Sequence, residues 1–147
     1  MKKKLLLTLT LIVVTTLIGC SKDDDNNSNS SPTIVGKWKN VKFEYYTDGV
    51  LVETETIVEE NSSCPDYIEF KDNGTYVVID NDVNCNSTAD ESGTYVYNGT
   101  TISTTSGGST DVSTVITLTN TDLKTDFTET SSGGTVFKNV GYFKKIN

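Results

Sequence analysis

Residues 80–91, DNDVNCNSTADE, carry the densest run of groups able to do chemistry in this 147-residue chain. Counted from Asp80, oxygen-bearing side chains stand at positions 1, 3, 5, 7, 9 and 12 as Asp80, Asp82, Asn84, Asn86, Thr88 and Glu91. That is the spacing of a calcium-binding loop, whose last carboxylate binds through both oxygens. Position 6, where such a loop turns sharply on glycine, is Cys85, and no helical pattern flanks the segment. A solvated, disulfide-pinned loop is the competing reading. Calcium is the one cofactor the sequence raises.

Cys64 and Cys85 are expected to pair if the chain is exported, closing a loop of about 22 residues in an oxidising compartment. A metal site built on the same two thiolates lacks the further ligands that would complete four. The chain has no histidine, and arginine is absent as well. Histidine is the usual general base and the activator of serine or cysteine nucleophiles. Arginine supplies bidentate clamping of phosphate and carboxylate. Acidic residues are plentiful, yet no pair is singled out for glycoside chemistry. The chain is therefore expected not to be an enzyme.

Seven tyrosines and five phenylalanines are the remaining recognition groups. Phe43, Tyr45, Phe70, Tyr76, Tyr95, Tyr97, Phe127 and Tyr142 fall in strand-like runs and would line an apolar cup where a barrel leaves room for one. The competing reading is that a domain this short uses most of them for packing.

The elements that must position these groups are strands. From Gly36 to Ile146 the chain alternates runs rich in Val, Ile, Thr, Tyr and Phe with turn residues, among them Asp48-Gly49, Asn73-Gly74, Asn98-Gly99, Gly107-Gly108 and Gly133-Gly134. Nine strands are predicted: 36–46, 50–58, 66–71, 75–80, 93–98, 100–104, 111–118, 122–130 and 135–146, the short sixth able to merge with a neighbour. Only 59–66 and 81–92 read as longer loops, and each holds one of the two cysteines. In 66–71, Ile68 and Phe70 oppose Tyr67 and Glu69; in 52–56, Glu53 and Glu55 face away from Val52, Thr54 and Thr56.

No helical period follows the first 20 residues, so consecutive strands have no crossovers and must pair as antiparallel neighbours. The predicted fold class is all-β, a single antiparallel up-and-down meander of eight to nine strands closed as a small barrel, which removes the exposed edges. A two-sheet sandwich is the main alternative.

The N-terminus carries an address. MKKK precedes an uncharged stretch from Leu5 to Gly19, too short for the roughly 20 residues that span a bilayer and patterned as a secretory signal. Leu17-Ile18-Gly19-Cys20 resembles the bacterial lipobox, which implies cleavage before Cys20 and acylation of that residue. The acidic run Ser21 to Asp25 resembles a signal for export to the outer face of the outer membrane; a solvated spacer is the competing reading. Lipid chains on one residue anchor stably when there are two or more, and a 12-residue coil would hold the domain about 20 Å from them. The expected organisation is a signal peptide over 1–19, a lipidated disordered tether over 20–33 and a barrel domain over 34–147. The expected location is the bacterial outer membrane, lipid-anchored through Cys20.

Loss of residues 1–19 removes three of 12 lysines and leaves nine against 20 acidic residues. Nucleic acid, whose binding rests on phosphate neutralisation, is not an expected partner.

Gly36-Lys37-Trp38 opening the first strand, NGTY at 73–76, GTY at 93–95 and the closing VGYFKKI resemble the lipocalin-like domain of small bacterial lipoproteins. The resemblance covers about 110 residues and implies a closed barrel with Trp38 packed across one end. In lipocalins an arginine usually covers that ring; here Lys144 or Lys145 would have to do so. It also implies non-covalent binding of a small apolar ligand. The alternative is a filled barrel that acts as a structural or interaction module of the envelope.

Overall fold

A computed structural model describes residues 31–147. The expected signal peptide, the expected acylation of Cys20 and most of the expected tether lie outside the described residues. Nine strands follow in order: β1 (Gly36–Thr47), β2 (Val50–Thr56), β3 (Tyr67–Phe70), β4 (Thr75–Asn81), β5 (Ser87–Tyr97), β6 (Thr101–Ser106), β7 (Ser109–Leu118), β8 (Asp122–Thr130) and β9 (Val136–Ile146). All pairings are antiparallel, as short turns without crossover helices require. Gly107 and Gly108 both take positive φ, 57° and 87°, which is what a two-residue hairpin turn needs to match the twist of its strands.

The sheet runs β2-β1-β3-β4-β5-β6-β7-β8-β9, and β9 returns to pair with β1. Eight strands thus close a barrel, with β2 as an addition to its wall. The addition has a simple origin. β3 pairs with residues 36–38 of β1 and β2 with residues 42–47 on the same edge, so the two occupy one strand position interrupted by residues 57–66. Among the described residues β2 pairs only with β1, and all seven of its residues are exposed. The expected meander therefore needs one amendment, because β3 skips its sequence neighbour and pairs with β1 instead.

One boundary also moves by more than two residues. β5 begins at Ser87 rather than Gly93, so the expected loop over 81–92 shrinks to 82–86. The polar run STADES lacks the β-branched and aromatic pattern of a half-buried strand, yet pairs with β4, with a bulge at Asp90, while staying exposed. Residues 57–66 dock on that hairpin through the disulfide between Cys64 and Cys85. The Asn81 amide N–H donates to Asp66 Oδ1 at 2.6 Å, and the Asn81 side-chain amide donates to the Pro65 carbonyl at 2.8 Å.

The core sits at the end where β1 begins. Ile34, Trp38, Phe70, Tyr76, Ile102 and Leu123 are buried together there, and Trp38 is wholly inaccessible. Its indole N–H donates to the Ile34 carbonyl at 2.7 Å. Lys145, and not Lys144, covers the ring: its Nζ lies 5.0 Å from the ring centroid and donates to the Val35 carbonyl at 2.9 Å. Gly93 lets the wall close over Tyr76, since a Cβ there would stand 2.0 Å from the Thr105 carbonyl oxygen.

Candidate functional site

Strand alternation, corrected at the bulges, decides which aromatic side chains face the interior. Simple alternation from the buried Trp38 would carry Lys42 and Glu44 inside. A register shift between Asn40 and Lys42 absorbs Val41 and turns Phe43 and Tyr45 inward instead. From there cross-strand partners on one face can be followed around the wall. Glu53 of β2 stands opposite Tyr45, Tyr45 opposite Asn139 of β9, and Asn139 opposite Phe127 of β8. In the next row toward the rim Thr47 faces Phe137, and Phe137 faces Glu129.

These two rows line an open cup of about 400 Å³ at the end of the barrel opposite Trp38. Tyr45, Phe127, Phe137 and Val52 give it apolar and aromatic surface, and Glu53 and Glu129 stand beside them. A smaller space of about 160 Å³ lies deeper, against Phe70, Ile102, Leu123, Thr125 and Phe143. Thr125 and Phe127 are two residues apart on β8, so the two spaces are on adjoining rows of the same inner face.

The cup's polar groups are specific. The Tyr45 hydroxyl donates to Glu55 Oε2 at 3.0 Å, and burial, followed by this hydrogen bond, raises its phenol pKa. Glu53 and Glu129 have no hydrogen-bond or ion-pair partner among the described residues. Lys138 touches the rim but is held by Asp126 Oδ2 at 3.1 Å. Asn139 Oδ1 is buried without a hydrogen-bond partner.

The eight aromatic residues nominated from sequence separate into three groups. Phe43, Tyr45 and Phe127 are on the inner face near the cup, with Phe43 edge-on to Phe143 at 6.4 Å. Phe70, Tyr76, Tyr95 and Tyr97 pack the closed end: Phe70 meets Tyr95 edge-on at 4.8 Å, and the Tyr95 and Tyr97 hydroxyls donate to the Lys71 and Gly99 carbonyls. Tyr142 is not a lining residue. It is the cross-strand partner of Lys42 and Lys124 on the outer face, its ring lies under both ammonium groups, and its hydroxyl donates to Glu44.

Sequence reasoning missed Phe137, Glu129 and Asn139, although their alternation with Phe127 and Gly141 was available. It placed Glu53 and Glu55 on a face away from their neighbours but could not say that this is the face of Phe43 and Tyr45. The register shift at Tyr45/Tyr46, which leaves Val52 unpaired, sets that.

The calcium spacing does not build a ligand shell. Asp80 and Thr88 are cross-strand partners in the β4–β5 ladder, and Glu91 lies further along β5, where it accepts a hydrogen bond from Tyr76. Asp82 uses its carboxylate on the turn itself, accepting from the Asn84 and Asn86 amides and the Asn86 side chain at 2.8–2.9 Å. Those bonds, the Asn86 side chain first, lower its pKa. Among the described residues no group of three or more acidic or cysteine side chains is arranged to hold a metal ion. Asp80, Asp82, Asn86 and Thr88 line one open space beside the hairpin, while Asn84 and Glu91 lie outside it.

A family model described as "Lipocalin-like domain" matches residues 34–125. Among solved structures, bovine odorant binding protein in complex with a selenium-containing odorant is similar at 17% identity and a TM-score of 0.43, covering 76% of this chain and 72% of that one. A deswapped triple mutant of the bovine protein gives 16% identity and a TM-score of 0.39 over 76% and 72% of the two chains. No curated protein matches the chain significantly.

Proposed function

The chain belongs to the lipocalin-like domain family, and from that premise we propose that it binds a small apolar ligand non-covalently in the cup at the open end of its barrel. The observation that carries this reading is the division of the interior. One end is sealed by a packed core around Trp38, while the other keeps about 400 Å³ walled by Tyr45, Phe127 and Phe137. That volume lies within the range of small-molecule sites, which are concave, mostly apolar and marked by a few placed polar groups. Phe137 remains 43% exposed, a large apolar surface that a ligand would cover.

The same proposal includes the anchor. The lipobox-like run ending at Cys20 supports acylation there and a place on the bacterial outer membrane, with the barrel held off the lipid by the polar tether. Incorporation of labelled fatty acid into the wild-type chain and its absence in Cys20→Ala would bear this out; equal labelling would overturn it.

For the cup, the test is titration with a neutral apolar fluorophore whose emission rises on leaving water. Saturable binding at one site, weakened by Phe127→Ala, supports the proposal. The alternative, an envelope interaction module, draws support from β2, whose Val50, Leu51 and Val52 are 65%, 49% and 60% exposed along a free edge. Absence of any saturable uptake would favour it.

A further inference from the structure

Resting on the cup being the binding site, we infer that its ligand is an organic cation, an ammonium group carried on an apolar body. Glu53, Tyr45, Asn139 and Phe127 form one row and Thr47, Phe137 and Glu129 the next, so two carboxylates flank three aromatic rings. Aromatic faces carry the negative lobe of the ring quadrupole and attract cations, which is the basis of cages for quaternary ammonium groups. Carboxylates within the same enclosure act in the same direction.

The state of each polar group supports that sign of charge. Glu53 and Glu129 have no cationic partner among the described residues, and Lys138, the lysine at the rim, is paired with Asp126. The Tyr45 hydroxyl donates to Glu55, which leaves its ring electron-rich and its oxygen directed away from donor duty to a ligand. Asn139 Oδ1 is a buried acceptor with no donor. The cup's two charged groups without a partner are thus both anions, and its one buried unpartnered atom is an acceptor.

Desolvation decides between ligand classes. A neutral apolar ligand filling the cup would strip water from Glu53 and Glu129 and give nothing in return, and an uncompensated buried charge is costly. An anionic ligand would add repulsion to that cost. An ammonium group compensates a carboxylate as water leaves, and its apolar body covers Phe137 and Val52.

The experiment compares three probes of one shape against the full-length protein by calorimetry: a naphthylmethyl-trimethylammonium ion, its neutral neopentyl isostere and naphthylmethanesulfonate. The expected result is at least about tenfold tighter binding of the cation than of the isostere, a difference of about 1.4 kcal/mol, with no competition from the sulfonate. In the Glu53→Gln/Glu129→Gln double variant the ratio of cation to isostere should fall, leaving only the part owed to the aromatic rings. Equal affinities of cation and isostere for the wild-type protein would overturn the inference and leave the cup standing as an apolar site. Failure of all three to bind would overturn the cup itself. The wild-type comparison decides the matter even if the double variant does not fold.

Discussion

Two inward phenylalanines offer a matched perturbation, because the barrel treats them in opposite ways. Phe70 is 4% exposed at the closed end, edge-on to Tyr95 and tilted against Tyr76. Truncation to alanine removes a full aromatic payload and leaves a hole that packed neighbours cannot close, which costs about 3–5 kcal/mol. Phe127 is half-buried in the wall of the cup. It already borders empty space, so Phe127→Ala loses only part of the roughly 1.5–3 kcal/mol of transfer energy and little for a new cavity, about 1 kcal/mol in all. Urea unfolding followed by circular dichroism would measure both. With a denaturant slope of about 2 kcal/mol/M, Phe70→Ala should lower the midpoint by about 2 M and Phe127→Ala by about 0.5 M. Binding of the neutral fluorophore should show the reverse order, being weakened mainly by Phe127→Ala. Equal destabilisation by the two substitutions would refute the reasoning, since it would mean that the mouth is packed core and that no cup exists.

Other outcomes follow from groups outside the cup. Removing the disulfide with Cys64→Ala/Cys85→Ala should cost about 3 kcal/mol on the chain-entropy model for a loop of this length, read as a lower urea midpoint; an unchanged midpoint would show that residues 57–66 are held by their hydrogen bonds alone. Glu44 is held at a pKa of about 2, chiefly by the Lys42 ammonium and next by the Tyr142 hydroxyl. Its folded pKa lies below the ordinary 4.5, so its stabilisation is present above that value and is lost as pH falls toward about 2; Glu44→Gln should flatten the acid limb of the stability profile in that window. Burial, followed by the hydrogen bond to Glu91, pushes the Tyr76 phenol up to about 12. Its stabilisation is complete below pH 10 and lost as pH rises toward about 12, so one tyrosine should be missing from the phenolate absorbance until that range and return to an ordinary titration in urea.

Much of the fold was legible because turn chemistry is local. Asp48-Gly49 and Gly107-Gly108 mark hairpins by a backbone requirement that needs no tertiary knowledge. Lys145 as the cover for Trp38 was within reach for a similar reason: it lies on the last strand, opposite Trp38 in the ladder. What sequence could not give depends on register. The bulge at Val41 lets both Trp38 and Phe43 face inward although they stand five positions apart, and no propensity marks it. The shift at Tyr45/Tyr46 likewise decides that Glu53 and Glu55 meet the aromatic rows. Tyr142 read as a lining residue because it is aromatic and in a strand. Its neighbours Gly141 and Phe143 take the inner face instead. The β5 extension through STADES was hidden because its exposed polar residues show no apolar alternation, although they pair with β4.

The central claim is that the open end of the barrel is a ligand site. It is tested most directly by locating a bound probe, in a crystal structure of the full-length protein soaked with the neutral naphthyl isostere or its trimethylammonium counterpart. The expected result is a naphthyl ring between Phe127 and Phe137, with the substituent directed toward Glu53 or Glu129. A probe seated only on the exposed edge of β2, with the cup closed by its own side chains, would contradict the account.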